Sequence, residues 1–443
     1  MEGVRVVLIS TYELGRQPFG LASPAAWLRA AGHDVTQVDL SRGPMPAAAL
    51  EAAEVVAFYL PMHTATRLFL RVIGRVRAAN PRARLCAYGL YAPLNEGLLR
   101  RNGIEDVIGG EFEQPLLDLV RQDSSRAGAS ISLERQSFIP PDRSDLPPLA
   151  SYARLAVNGG LRTAGYTEAS RGCKHLCRHC PVVPVYGGRF RIVQPEVVLE
   201  DIRRQVAAGA QHITFGDPDF LNGPTHAMRV VEALAREWPG LTYDATIKVE
   251  HLLEQRDLLP RLKATGCLFV TSAVESFDDG VLERLAKGHT RADFLEASSL
   301  MRAAGLPLSP TFIPFTPWTT RAGYRSFLRT LLELDLASQV APVQLAIRLL
   351  IPEGSLLLEL PEISGRIEPF DQRGLCYPWR NTDPWLDELC DTIQKTIQRG
   401  ERRRASRGEI FRRIWDLAEC GAFPDLPLAD RATIPYLTEP WYC

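Results

Sequence analysis

Residues 168–181 read Glu-Ala-Ser-Arg-Gly-Cys-Lys-His-Leu-Cys-Arg-His-Cys-Pro, so Cys173, Cys177 and Cys180 follow a short apolar strand with the spacing C-x3-C-x2-C. Three thiols between a strand pattern and a helix pattern force the chain to converge on one small loop. A 4Fe-4S cluster is usually held by four thiolates, and a loop that offers only three leaves one iron open to an outside ligand. Two plainer readings compete. Three cysteines can also serve a structural zinc site with a distant fourth ligand, or simply act as small buried hydrophobes. Zinc sites favour paired C-x2-C knuckles, and the chain contains no second knuckle.

The run resembles the cluster loop of the radical S-adenosylmethionine (radical SAM) superfamily. There the amino and carboxylate groups of S-adenosylmethionine fill the open iron, and an electron from the cluster breaks a carbon-sulfur bond to release a carbon radical. The resemblance implies a 4Fe-4S cluster on Cys173, Cys177 and Cys180, S-adenosylmethionine as cofactor, and an electron donor such as flavodoxin or ferredoxin. His179 stands where the superfamily usually has an aromatic residue whose neighbourhood faces the adenine.

With 443 residues, 46% of them hydrophobic, the chain can build two or three domains. Its 51 basic and 52 acidic residues leave no electrostatic footprint for nucleic acid or an anionic membrane, so a small-molecule substrate is expected. The N-terminus enters a strand directly, without the pattern of a signal peptide, and no run reaches the length of a membrane helix. Nine cysteines, an odd number, argue for reduced thiols and a cytoplasmic location.

The expected fold class is α/β. Residues 1–123 alternate strands (4–10, 35–40, 55–60, 85–89, 107–109) with helices (24–31, 67–79, 114–121), the pattern of a doubly wound parallel sheet. This part resembles the cobalamin-binding domain that precedes many radical SAM domains, including its late turn, Gly109-Gly-Glu-Phe-Glu-Gln114. The loop from Thr11 to Phe19 lacks the D-x-H-x-x-G motif that gives cobalt a lower axial ligand. His63 is the one tempting substitute and reads more simply as a surface-loop histidine. The domain is therefore expected to act as a scaffold, with turnover independent of cobalamin. Residues 124–160, rich in Ser, Arg and Pro, read as a linker.

Residues 161–360 resume the alternation, with strands at 166–169, 212–215, 242–247, 268–273, 308–315 and 344–350. Six such units match the partial (β/α)6 barrel of the radical SAM domain, whose chemistry lies at the carboxyl ends of the strands. Residues 361–443 form a helical C-terminal region with a Cys-terminated tail.

The strand ends supply the remaining candidates. Phe215-Gly-Asp-Pro-Asp-Phe220 occupies the superfamily's Gly-Gly-Glu-like position. The resemblance gives Gly216 a close backbone approach and Asp217 and Asp219 the acid that meets the amino group of S-adenosylmethionine, although either aspartate also suits a helix cap. Glu275 and Ser276, after the fourth strand, have groups that bind ribose hydroxyls or the amino acid end. Lys287 is expected on a solvated helix end. Lys248 and Arg348 are candidate partners for a carboxylate of S-adenosylmethionine, with internal ion pairs as an equal alternative.

The last segment, Ala429 to Cys443, together with Cys177-Arg-His-Cys-Pro-Val-Val-Pro-Val-Tyr-Gly-Gly188, resembles the radical SAM proteins named for a Cys-Cys-Ala-Glu-Pro or Cys-selenocysteine-Ala-Glu-Pro tail. That family includes enzymes of arsinothricin biosynthesis, which join the 3-amino-3-carboxypropyl group of S-adenosylmethionine to arsenic. The resemblance implies arsenite as substrate, a tail thiol at Cys443 that handles it, and a natural chain that extends past Cys443. Tyr436, Leu437 and Trp441 would dock the tail on the barrel mouth. The alternatives are cobalamin-dependent methyl transfer to a small metabolite and a thiol-based metal or metalloid sensor.

Overall fold

Apolar runs such as Val6-Val-Leu-Ile9, buried on both faces, can only be central strands of a parallel sheet covered by helices on each side. The computed structural model describes residues 3–121, 128–426, 428–429 and 432–439. Its first sheet comprises β1 (Arg5–Ser10), β2 (Asp34–Asp39), β3 (Val55–Tyr59), β4 (Arg84–Tyr88), β5 (Asp106–Gly110) and β6 (Ser130–Ser132). The strands are parallel in the order β2-β1-β3-β4-β5-β6. One hydrophobic core lies on each face.

The second sheet begins with the antiparallel hairpin β7 (Arg154–Val157) and β8 (Gly160–Thr167). Beyond β8 the chain forms a short ribbon of β9 (Ser170–Gly172) and β10 (Phe190–Ile192), with the cysteines between them. Then follow β11 (His212–Phe215), β12 (Thr242–Thr246), β13 (Cys267–Glu275) and β14 (Leu308–Phe312). Strands β8, β11, β12, β13 and β14 are parallel neighbours, and helices 195–207, 224–237 and 291–303 return the chain between them. The final strand, β15 (Tyr436–Leu437), pairs antiparallel with β7 and completes the order β14-β13-β12-β11-β8-β7-β15. A doubly wound sheet followed by a curled half-barrel is thus the architecture, as expected from the alternation.

Three local expectations change. The segment expected to be linker lends β6 to the first sheet and β7 to the second. Residues 344–350 are not a strand: after β14 comes one parallel bridge, Phe315 to Arg348, preceded by a 3-10 turn at Pro342–Leu345. Pro342 has no N–H for a ladder, and Pro352 caps the other end of the apolar run. His63 is not on a loop but opens the helix His63–Ala79. Among the described residues no helix is long and apolar enough to cross a membrane.

Candidate active site at the carboxyl end of the half-barrel

Gly172 positions the sulfur loop. Its φ of +74° lies in the left-handed region, and a Cβ there would come within 2.4 Å of Tyr186 Cδ1 and 2.5 Å of the Arg189 carbonyl oxygen. Only glycine lets the chain turn so tightly from β9 into Cys173. Asn222, from the turn after β11, locks the same corner: its Oδ1 accepts from the Lys174 N–H at 3.3 Å and its Nδ2 donates to the Gly172 carbonyl at 3.4 Å.

The three thiols converge on this loop and none is in a disulfide. Burial pushes the Cys173 and Cys180 thiols up, Cys180 to about 12, and the other loop sulfurs add to the shift. The burial that opposes a thiolate is offset when the sulfur ligates a metal, and three thiols offered by one loop fit a cluster held by all three. Donors from Cys173, His175 and Asp219 also lie within 4.8 Å of one another, an arrangement open to a single divalent ion. That ion would leave Cys177 and Cys180 without a role, whereas the cluster uses the whole loop.

Three consecutive strand ends face the loop. Asp219, fully buried after β11, has its Oδ2 2.7 Å from His251 Nδ1 and 3.6 Å from His175 Nε2, while its Oδ1 accepts from the Lys248 N–H at 3.4 Å. Lys248, after β12, is buried and reaches Glu250 Oε2 at 3.1 Å. Glu275 ends β13 with φ +70°, strained for a residue with a side chain, beside a register shift in the ladder to β14. Its Oε1 lies 3.4 Å from Lys287 Nζ and 3.3 Å from His179 Nε2. Burial opposes a charge on Glu275, but Lys287 and His179 outweigh it and hold the carboxyl down at about 2. Lys287 is therefore not on a solvated helix end: it is 3% exposed, because its ammonium is drawn into the site by Glu275.

Other expected residues have different neighbours. Asp217 accepts from the Ala169 N–H at 3.0 Å and the Ser170 hydroxyl at 2.5 Å, so it pins the chain entering the sulfur loop. Burial raises its carboxyl to about 7. Gly216 is required because a Cβ would lie 1.9 Å from Tyr166 Oη. Ser276 turns its hydroxyl to the Asp278 N–H at 3.0 Å. Arg348 is committed to an internal pair, with Nη1 2.6 Å from Asp387 Oδ1, Nη2 on the Trp379 carbonyl and the guanidinium 3.6 Å above the Trp379 ring. Cys443 and Trp441 lie outside the described residues. Tyr436 and Leu437 join the β7 edge, and Glu439 accepts from Tyr12 Oη at 3.0 Å.

The first domain reaches the site through Arg171, which is buried two residues before Cys173. Its guanidinium contacts Glu113 at 2.7 Å, Glu168 at 2.7 Å and Glu111 at 3.3 Å. Glu111 also accepts from Tyr186 Oη at 3.2 Å, and burial raises its carboxyl to about 7. Val182, Val185 and Tyr186 pack into the first domain's core, closing one side of the sulfur loop. Sequence reasoning singled out the Gly-Glu-Phe-Glu turn but not its partner Arg171, and it missed His175, Asn222 and His251. His175 stands inside the cysteine run, a signal that was available.

Two histidines lie in the first domain. His63 Nε2 is 2.6 Å from the Gly374 carbonyl oxygen, and His33 Nδ1 accepts from the Val4 N–H at 3.3 Å while its Nε2 has no hydrogen-bond partner among the described residues.

Residues 167–327 match the Radical SAM superfamily and form a domain of that superfamily. The chain is 27% identical over 170 residues, 38% of its length, to hopanoid C-3 methylase of Methylococcus capsulatus, 32% of which is covered. It spans less than half the length of the curated relatives it matches. Two solved structures share the two-domain fold. The cobalamin-dependent S-adenosylmethionine radical enzyme OxsB aligns with a TM-score of 0.70 at 14% identity over 90% of this chain and 67% of its own. The radical S-adenosylmethionine methyltransferase TsrM from Kitasatospora setae aligns with a TM-score of 0.65 at 16% identity over 87% and 88% of the two chains.

Proposed function

We propose that this protein is a radical enzyme of a reducing compartment that cleaves S-adenosylmethionine at a 4Fe-4S cluster and transfers a fragment of it to a small molecule. The observation that carries this reading is the convergence of three loop thiols with buried charged groups from three consecutive strand ends. When bound, the cluster supplies the electron that breaks the carbon-sulfur bond. Cys173, Cys177 and Cys180 hold it, and Lys248 offers an ammonium to a carboxylate. Asp219 with His251 offers an acceptor to an amino group. Glu275, kept ionised by Lys287 and His179, accepts from hydroxyls. The Val182–Tyr186 turn keeps water from one side of the loop.

Two forms of the transfer compete. Arsenite as acceptor of the 3-amino-3-carboxypropyl group is supported by the likeness of the tail up to Cys443. Methyl transfer through a cobalamin bound without a protein histidine is supported by the fold likeness to OxsB and TsrM, which spans both domains.

Anaerobic incubation of the reconstituted protein with S-adenosylmethionine, a reductant and candidate acceptors, with and without cobalamin, tests the reading by mass spectrometry of the products. Cleavage that disappears in each of Cys173→Ser, Cys177→Ser and Cys180→Ser is expected. Full cleavage in any one of them defeats it.

A further inference from the structure

The half-barrel sheet ends at β14 on one side and β15 on the other, and its lumen is hollow. A cavity of about 310 Å³ lies against Asp244 of β12 and Phe269 of β13, is walled by Ile434 and Leu437 of the tail, and receives Arg16 from the loop after β1. This volume is at the lower end of small-molecule sites.

Its charged lining is Arg16, Arg407, Asp244, Glu401 and Glu439; Arg407 donates to the Ser338 and Gln339 carbonyls at 3.1 Å each. The Arg16 guanidinium stacks 4.8 Å from the centre of the Tyr166 ring, and its buried Nε has no hydrogen-bond partner among the described residues. A buried unpaired donor is costly, so a partner from outside the chain would recover that cost. Glu13, on the same loop, is buried, and that burial holds its carboxyl well above the usual carboxylate range although Arg16 draws it down. Asp244 is the counterpart of Arg16. One oxygen, Oδ1, accepts from His212 Nε2 at 2.8 Å and Thr214 Oγ1 at 2.7 Å, which fixes the carboxylate and leaves Oδ2 without a partner among the described residues. Glu439, also at the cavity, is already committed to Tyr12 Oη at 3.0 Å and lies 3.9 Å from Arg42.

A cation with an unpaired donor at Arg16 and an anion with a free oxygen at Asp244, in a small lumen that also presents Phe269, Ile434 and Leu437, fit one chemical class. We propose that the lumen binds an α-amino acid with an apolar side chain, its carboxylate on Arg16 and its ammonium on Asp244. The inference rests on the group-transfer reading only for the role of this molecule, that of acceptor. Binding itself does not depend on it.

The test uses the full reconstituted chain in excess S-adenosylmethionine, so that any site at the cluster is filled. Calorimetry with L-leucine, L-methionine, L-phenylalanine and L-tryptophan finds the tightest ligand, which is then compared with its decarboxylated amine and its deaminated acid. The amino acid is expected to bind at least about tenfold tighter than either analogue, the weight of one charge-assisted contact. Arg16→Gln and Asp244→Asn should each weaken it by a similar factor. Failure of all four amino acids to bind, or equal affinity for an analogue that lacks one charge, overturns the proposal even if a variant fails to fold. A parent protein that binds the amino acid but does not cleave S-adenosylmethionine defeats the proposed function and leaves this site standing.

Discussion

Glu275 Oε1 lies 3.4 Å from Lys287 Nζ, and both side chains are buried where β13 and the helix after it deliver them to the sulfur loop. The pair explains why a strained glutamate is kept at a strand end: its charge is fixed before any ligand arrives. Because its folded pKa, about 2, is below the ordinary glutamate value of 4.5, the pair stabilises the fold above pH 4.5 and loses that contribution as pH falls through about 2. The shift corresponds to about 3 kcal/mol. Lys287→Gln should cost about 3–5 kcal/mol at pH 7, the usual result of stranding a buried charge. Urea unfolding measures it, and the gap between parent and variant should narrow as pH approaches 2.

Arg171 pairs with all three of Glu111, Glu113 and Glu168 at the domain contact. Arg171→Gln should destabilise the protein by about 3–5 kcal/mol and lower the iron bound after reconstitution. Thermal unfolding and iron analysis check both effects. Normal iron with normal stability would detach the first domain from the sulfur loop.

Arg348 separates a structural role from a ligand role. Its partners, Asp387 and the Trp379 ring and carbonyl, are internal. Arg348→Met should lower stability by about 1–2 kcal/mol, because Asp387 is partly exposed and keeps the Asn381 N–H, with no change in the affinity for S-adenosylmethionine. A binding loss with unchanged stability would return Arg348 to the site.

Gly172→Ala forces a Cβ into Tyr186 and the Arg189 carbonyl at a positive φ. A cost of about 1–3 kcal/mol is expected from the backbone conformation alone, together with reduced iron content. Tyr186→Ala in the same background should recover part of the steric loss and none of the conformational one.

Much of this arrangement is legible in the residues. The apolar alternation locates most strands to within a residue or two because burial on both faces leaves no other pattern. The run at 344–350 fails because proline at 342 breaks the ladder that hydrophobicity alone suggests. At the site, the cysteine spacing is local and readable, and so are Asp219 and Glu275 as strand-end acids. Their partners are not. Lys287 looks like a helix-end lysine until the half-barrel folds it onto Glu275, and Arg171 looks like a loop arginine until Glu111 and Glu113 arrive from another domain. Local propensity carries no term for a charge sixty residues away.

The strand β15 joins β7 across nearly three hundred residues of sequence, so the edge of the half-barrel is finished only when residue 437 has emerged from the ribosome. Contacts of such separation form late because the intervening chain must first be ordered. During synthesis the lumen therefore remains open along the β7 edge. The half-barrel strands can pair with one another before the tail exists to cover the β7 edge.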